Sequence, residues 1–570
     1  MNTELIKSEI QETKNLIQDR KFTYAESRAS ILLAKQPGNP KIHELLGDIF
    51  FGQSIYKKSV WHYLDASFRD SDNKEILFKL GENIYYLKYF ALAEAIMKKV
   101  IEKDPLYTQA YITLGLTQQE MNNSEEAIMC YEDAININPK EVFAYLNLAL
   151  LHKKNKNFDE AIKVYQNAIS NNPNNHFILS NLGNLFYLQK KYDDAILCHE
   201  RAVKIKPDST VAHYNYANTL FHSGNFDKAK ETYQKTLDLN PEFSRANTNY
   251  GMISLLTENF DDGFERYHSR IFSDPMIKTI INKQKTIWRG EPLSGKRILV
   301  CSESGYGNII QFSRYIPLLK QLDCEIIFSC PIEIQHLFEN ITEIDEIILP
   351  DQNYENFFYW VPLLDLPKIL APDINSECPQ PININVNDSK LEEWETLLGI
   401  DQKVKIGLCW QGDPNNPRDH LNSVDLSMFK DLLSIKNTSF VSLQKGFARN
   451  QIKQNEFEKN IIDYDPLIDQ GSNKFLDTTA ILKYLDLVIT TDTAIAHLAG
   501  SLGTQTWVLL SKVPDWRWFL NKEESIWYDN MRLFRQDNNS WNNVFKNLKN
   551  ECETLVSNIT EIRKNSDVNS

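Results

Sequence analysis

One interval governs the first half of the chain. Prolines stand at Pro37, Pro105, Pro139, Pro173, Pro207 and Pro241; the steps from Pro105 onward are 34 residues, and Ser71 fills the slot between the first two. Twelve residues before these positions lie Ala25, Ser59, Ala93, Ala127, Ala161, Ala195 and Ala229, and ten residues after them Gly47, Gly81, Gly115, Ala149, Gly183, Ala217 and Gly251. Antiparallel helices approach closely only where small side chains face each other, and a proline marks the next turn because it cannot continue a helix. Tyr131, Tyr165 and Tyr233 keep the same register and fill the space between the helices. A chain with this repeat is constrained to stacked helix pairs, each burying its apolar face against the next.

The three columns resemble the tetratricopeptide pattern, which implies an all-α superhelix over residues 1–273. Asp261, Gly263, Phe264 and Tyr267 read as a last, degenerate helix that closes it. Such arrays present a concave face suited to peptides or partner domains. Asn147, Asn181, Asn215 and Asn249 share one helix position, and Asn184 and Asn218 share the position three residues later. Two readings stand side by side: a carboxamide ladder that grips an extended acceptor or peptide, or a residue type merely common at that position. Residues 274–295 mix Pro, Lys and Gly without period and read as a linker.

From Lys296 short β-rich runs alternate with amphipathic stretches, which predicts parallel sheets with ligands at the carboxyl ends of the strands. The less regular stretch Ala371 to Lys390 divides this region into lobes at 296–390 and 391–563, followed by a polar tail at 564–570. Two segments stand out. The first strand runs into Ser302-Glu303-Ser304-Gly305-Tyr306-Gly307-Asn308, a strand, glycine loop and helix that match neither a Walker loop nor a dinucleotide fingerprint. The second, LVITTDTAIAHLAGSLG at Leu487 to Gly503, reads as a strand, a polar turn and a small-residue helix. The free N–H groups and dipole at that helix start suit a pyrophosphate, with Asp492 accepting from sugar hydroxyls or, alternatively, capping the helix. His497 reads as a packed residue rather than a base.

Several further segments join these in one order: WRGEPLSGKRILV, YWVPLL, KIGLCWQG, VSLQKG, PDWRW and MRLFRQ. Together, from Trp288 to Gln536, they resemble tetratricopeptide-linked relatives of the ADP-heptose lipopolysaccharide heptosyltransferases, glycosyltransferase family nine. The resemblance implies a two-lobed, Rossmann-like glycosyltransferase-B domain. It also implies an inverting, metal-independent transfer from a nucleotide sugar to a protein or glycan acceptor recruited by the repeats, with no bound cofactor.

The donor diphosphate is then expected at the amides of Thr493 and Ala494, with Asp492 orienting the sugar. Gln411 and Gly412 are further ligands, and Arg418 or Lys445 supplies positive charge. The chain departs from the family where Asn308 replaces the aspartate that serves as general base. An amide cannot take that proton, and Glu303 is the nearest carboxylate in the loop. Relatives also carry a basic residue where Asn422 precedes Ser423, which leaves Arg418 or His420 for the phosphates. Two other readings follow: a non-catalytic repeat scaffold with a degenerate transferase domain, and an enzyme resembling protein O-GlcNAc transferases.

A net charge of −14 without a basic run argues against nucleic-acid binding. The cysteines lack paired spacing, so reduced thiols are expected. The first twenty residues intersperse acids and amides with apolar side chains, unlike a signal peptide, and no run of about 18 apolar residues spans a bilayer. A cytoplasmic protein is the expectation. The triplets Asp70-Ser71-Asp72 and Asp463-Tyr464-Asp465 are ascribed to chance in an acid-rich chain, and no metal is expected.

Overall fold

The computed structural model describes residues 3–274, 277, 286–303, 305–352, 354–399, 402–414, 422–537 and 540–569. Arg418 and His420 lie outside them. Residues Met1–Asn215 and Tyr216–Ser570 form two compact units, and the division falls within α13 (Thr210–Ser223).

Helices α1 (Thr3–Gln18) to α16 (Phe260–Tyr267) form the repeats, two per 34-residue period. Each glycine of the small column lies under the side chain sixteen residues on. A Cβ at Gly47 would come 2.6 Å from the Tyr63 ring, at Gly115 2.6 Å from Tyr131, and at Gly183 2.7 Å from His199. At Gly251 the obstacle is backbone, with Tyr267 N at 2.6 Å. Ser59, which replaces alanine in its column, donates to the Gly47 carbonyl at 2.8 Å. The turn inside each repeat places one residue in the left-handed region: Arg20, Ser54, Lys88, Asn122, Lys156, Lys190, Gly224 and Glu258 have φ between 56° and 89°.

The remainder holds two parallel sheets. The first contains β1 (Thr286–Ile287), β2 (Arg297–Cys301), β3 (Glu325–Ser329), β4 (Glu346–Ile348) and β5 (Tyr359–Pro362) in the order β1-β5-β2-β3-β4. The second contains β6 (Val404–Cys409), β7 (Thr438–Ser442), β8 (Ile461–Ile462), β9 (Leu487–Thr491), β10 (Thr506–Leu510) and β11 (Met531–Arg535) in the order β11-β10-β9-β6-β7-β8. In both, the winding reverses beside the first full strand, between β2 and β5 and between β6 and β9. Crevices open at such points.

Three sequence-based boundaries are corrected. Residues 286–293 are no linker: β1 pairs with β5, Trp288 is buried, and its indole donates to the Glu291 carbonyl at 2.8 Å. The polar tail does not begin a separate segment at 564, because one helix runs Asn542–Asn569 and contributes Val544, Phe545, Leu548, Cys552 and Val556 to the core of the second sheet. The end of the repeats is also no separate body. Ile271 and Ile277 pack with Leu299, Cys301, Ile327 and Trp360 in the core of the first sheet.

Candidate functional site

Chain reversal places the sequence-derived candidates at the two switch points. Cys301 and Pro362 are opposite each other at the ends of β2 and β5, and the glycine loop follows β2. Cys409 pairs with Thr490 near the ends of β6 and β9, so Gln411 and Gly412 leave one strand beside Asp492, Thr493 and Ala494 leaving the other. The two switch points meet. The helix Tyr306–Phe312 packs on the helix Ala494–Ser501 so closely that a Cβ at Gly307 would stand 2.9 Å from His497 Cδ2 and 3.5 Å from Ala494 Cα. Gly305, with φ +96°, makes the turn that permits this approach.

Thr493, not Asp492, is the N-cap residue of the second helix, with φ −134° and ψ 170°, and its side chain caps nothing. Its hydroxyl instead lies 3.0 Å from Thr490 Oγ1. The first turn therefore keeps the positive end of its dipole toward the switch point. Gln444, which the sequence reading passed over, builds the facing turn. Its Oε1 accepts from Trp410 N at 3.0 Å and Gln411 N at 2.9 Å, while its Nε2 donates to the Gln411 carbonyl at 3.0 Å and the Lys445 carbonyl at 3.1 Å. A glutamine between Leu443 and Lys445 offers no periodic signal; only the pairing of β6 with β7 brings it to this turn.

Two residue roles are corrected. Glu303 is buried in a fork with Arg270, with Nε to Oε2 at 2.6 Å and Nη2 to Oε1 at 2.7 Å, and it also accepts from Leu364 N at 3.1 Å. Burial raises the affinity of this carboxyl for protons, and Arg270 opposes that; both of its oxygens are occupied by these partners. Lys445 donates to Asp465 at 3.0 Å and to the Ile468 carbonyl, so its ammonium is taken up by the neighbouring loop. The carboxylates of the second acidic triplet are ion-paired there, Asp463 with Arg449 and Asp465 with both Lys445 and Arg449. In the first triplet Asp72 pairs with Lys103 at 2.8 Å.

Arginines that the sequence reading did not assign surround the second helix. Arg517 is only 10% exposed, and the carboxylates of Asp515 and Asp492 keep it charged against the cost of burial. Arg314, in the first lobe, is fully buried and donates to the carbonyls of Trp527 at 2.6 Å and Pro379 at 3.2 Å, under the ring of Tyr528. Burial first, and then these two arginines, push His497 well below the ordinary histidine range, so its imidazole is neutral. It stacks on Trp518, with centroids 5.4 Å apart and planes at 17°. Trp516 and Trp518 are both buried core residues, so neither presents a face to a ligand. Ser302 Oγ and Thr491 Oγ1, at the ends of β2 and β9, are buried without a hydrogen-bond partner among the described residues.

Asn308 lies in the first turn of its helix, where its backbone N–H donates to the Gly305 carbonyl at 3.1 Å. In the repeats Asn147, Asn181, Asn215 and Asn249 are all half-buried. Asn181 folds back on the Phe177 carbonyl at 2.9 Å, and Asn249 donates to Asn218 at 2.9 Å. Among the described residues no cluster of ligating side chains suited to a metal is found, and no helix is long and apolar enough to cross a membrane.

Tetratricopeptide-repeat family models match residues 108–141, 142–175 and 186–251. Protein FlbA of Caulobacter vibrioides is 23% identical over 266 residues, 43% of this chain and 44% of FlbA, so the chain spans less than half the length of that relative. Among solved structures, the chain is similar to a tetratricopeptide repeat protein from Parabacteroides merdae. The identity is 19% and the TM-score 0.33, over 41% of this chain and 93% of that one. Pseudomonas aeruginosa PilF is similar at 21% identity with a TM-score of 0.31, over 38% of this chain and 96% of that one. The family models, with the helix pairs at 34-residue spacing, make the first half a tetratricopeptide array.

Proposed function

We propose that the two-sheet region is a nucleotide-sugar site of glycosyltransferase type and that the repeats recruit its protein or glycan acceptor. The reading rests on one observation: both switch points, each carrying residues singled out for donor chemistry, converge at the contact of Gly307 with Ala494 and His497. A diphosphate there would meet the first-turn amides of Thr493 and Ala494, with Arg517 as the nearby buried cation. Gln411 and Gly412, set by Gln444, line the facing turn, and Asp492 is the acceptor for sugar hydroxyls. Leaving-group stabilisation of this kind needs neither metal nor cofactor.

Deprotonation of the acceptor is the weak step. Asn308 cannot take the proton and Glu303 is locked to Arg270. Positioned bases contribute roughly 10²–10⁴-fold, so the wild type turns over slowly at best. The same facts favour a second reading, in which the region binds a nucleotide sugar without transfer and the repeats carry the function. Donor hydrolysis across a panel of nucleotide sugars, for wild type and Asn308→Asp, separates the two. Wild-type turnover, increased at least tenfold by the substitution, supports a transferase. Binding without turnover in both proteins leaves the sensor reading. No binding of any donor removes the site.

A further inference from the structure

The last repeat touches both lobes. α15 (Ser244–Leu256), α16 and the turn His268–Phe272 all lie in the unit that contains the sheets. On the first lobe, Arg270 forks to Glu303 and reaches Asp365 Oδ1 at 2.8 Å, while His268 Nδ1 approaches Asp365 Oδ2 at 2.5 Å. Glu303 begins the glycine loop, and Asp365 follows β5, the neighbouring strand of the same switch point. On the second lobe, Phe264 and Tyr267 meet the ring of Trp516 edge-on at 6.0 and 5.9 Å. Trp516 also contacts Phe312 of the glycine-loop helix at 6.0 Å and Trp527 at 6.1 Å. Two residues on, Trp518 carries His497. A polar junction repeats the arrangement: Glu258 of the last repeat accepts from Asn375 at 3.1 Å and pairs with Lys522 at 3.4 Å, and Lys522 donates to Asn375 at 2.6 Å.

We infer that the last repeat is part of the frame of the candidate cleft, and that Arg270 and Tyr267 are positioning residues for its two halves. Arg270 holds the glycine loop through Glu303, and Tyr267 holds the Ala494–Ser501 helix through Trp516 and, two residues on, Trp518, which stacks on His497. A guanidinium fork fixes a carboxylate in both distance and plane, which a lone charge does not. Because one short segment anchors both lobes, movement of one lobe against the other requires breaking its contacts. The inference concerns the positioning of the site proposed above, and it rests on that reading only for what the site binds.

The test uses the full chain as wild type, Arg270→Met, Arg270→Lys, and the double variant Arg270→Met/Glu303→Leu, in which no carboxylate is stranded at position 303. Amide hydrogen exchange is followed in residues 302–309, with repeats 108–209 as the internal reference, and ADP and UDP affinities are measured by calorimetry. Exchange in 302–309 is expected to rise at least tenfold in Arg270→Met and in the double variant, and less in Arg270→Lys, with the reference unchanged. Affinity for whichever nucleotide the wild type binds falls at least fivefold in step. Should Arg270→Met fail to fold, the double variant supplies the reading. Unchanged exchange in a folded variant overturns the inference. If the wild type binds neither ADP nor UDP, the functional proposal fails by itself, and the exchange result still decides the role of Arg270.

Discussion

Gly307 shows how one absent methyl group brings two lobes together. Its missing Cβ leaves room for His497, which cannot retreat because Trp518 stacks on one face and Tyr528 lies at 3.3 Å from Nδ1. Gly307→Ala therefore forces the helices apart, at a cost of about 1–3 kcal/mol. Chemical denaturation of the purified variant measures this, and a loss below about 0.5 kcal/mol would mean that the contact is looser than described. His199 offers a second test at this scale. It occupies the column held by Tyr63, Tyr131, Tyr165 and Tyr233, and burial lowers its pKa to about 4. The unfolded chain binds the proton more readily, so this contribution is complete above about pH 6.5 and is lost as the pH falls toward 4. At roughly 1.4 kcal/mol per pH unit, the array weakens by about 2–3 kcal/mol over that window. His199→Tyr is expected to remove that share, seen as a smaller difference between urea midpoints at pH 7 and pH 5.

At the scale of elements, the turn inside each repeat carries a steric cost invisible in composition. Eight equivalent positions adopt positive φ, yet only Gly224 is a glycine. L-residues there cost about 1–2 kcal/mol each, and the packing of the flanking helices outweighs it. A Cβ at Gly224 would meet nothing within 4 Å, so Gly224→Ala isolates the backbone term. It is expected to destabilise by about 1 kcal/mol, read from the urea midpoint; a neutral result would show that the turn adjusts. The strands show the opposite balance. Leu487–Thr491 and Thr506–Leu510 match the β-rich runs in the sequence because both are made of β-branched and large apolar residues and are buried along their whole length. The two-residue strands β1 and β8 carry no such run and exist only because a neighbour offers hydrogen bonds.

At the scale of the molecule, the repeats end inside the second compact unit. Chains beginning at Thr210 and at Asp274 test this organisation. The first keeps α13 to α16 and is expected to fold cooperatively. The second lacks Ile271, which leaves the first-sheet core open, and lacks Arg270, which strands Glu303 and Asp365. Removing one partner of a buried ion pair costs about 3–5 kcal/mol, so the shorter chain is expected to be insoluble or to bind a hydrophobic dye. Equal stability of the two would return the boundary to residue 273.

Acid tests the same clamp. Asp365 is driven up by burial but held down to about 2 by Arg270 and His268, below the ordinary 3.8. The folded carboxyl is thus the stronger acid, so the stability it supplies is complete above about pH 4 and fades as the pH falls through 2. Asp365→Asn is expected to flatten that part of the acid-unfolding curve, followed by tryptophan fluorescence.

Local periodicity was enough to reveal the helix pairs, since a 34-residue register of glycine, alanine and proline admits one way of packing helices against their neighbours. The order of the strand runs likewise announced parallel sheets, and Asp492, Thr493, Gln411 and Gly412 could be marked because each lies in the turn that follows a recognisable strand. Tertiary structure alone decided which side chains already have partners. Glu303 and Lys445 looked available until Arg270 and Asp465 were found beside them, from 33 and 20 residues away. It likewise showed that Gln444 builds a turn and that Arg517 stands near Asp492. Such pairings depend on long-range contacts, which leave no periodic trace because the chain has to fold before their partners meet.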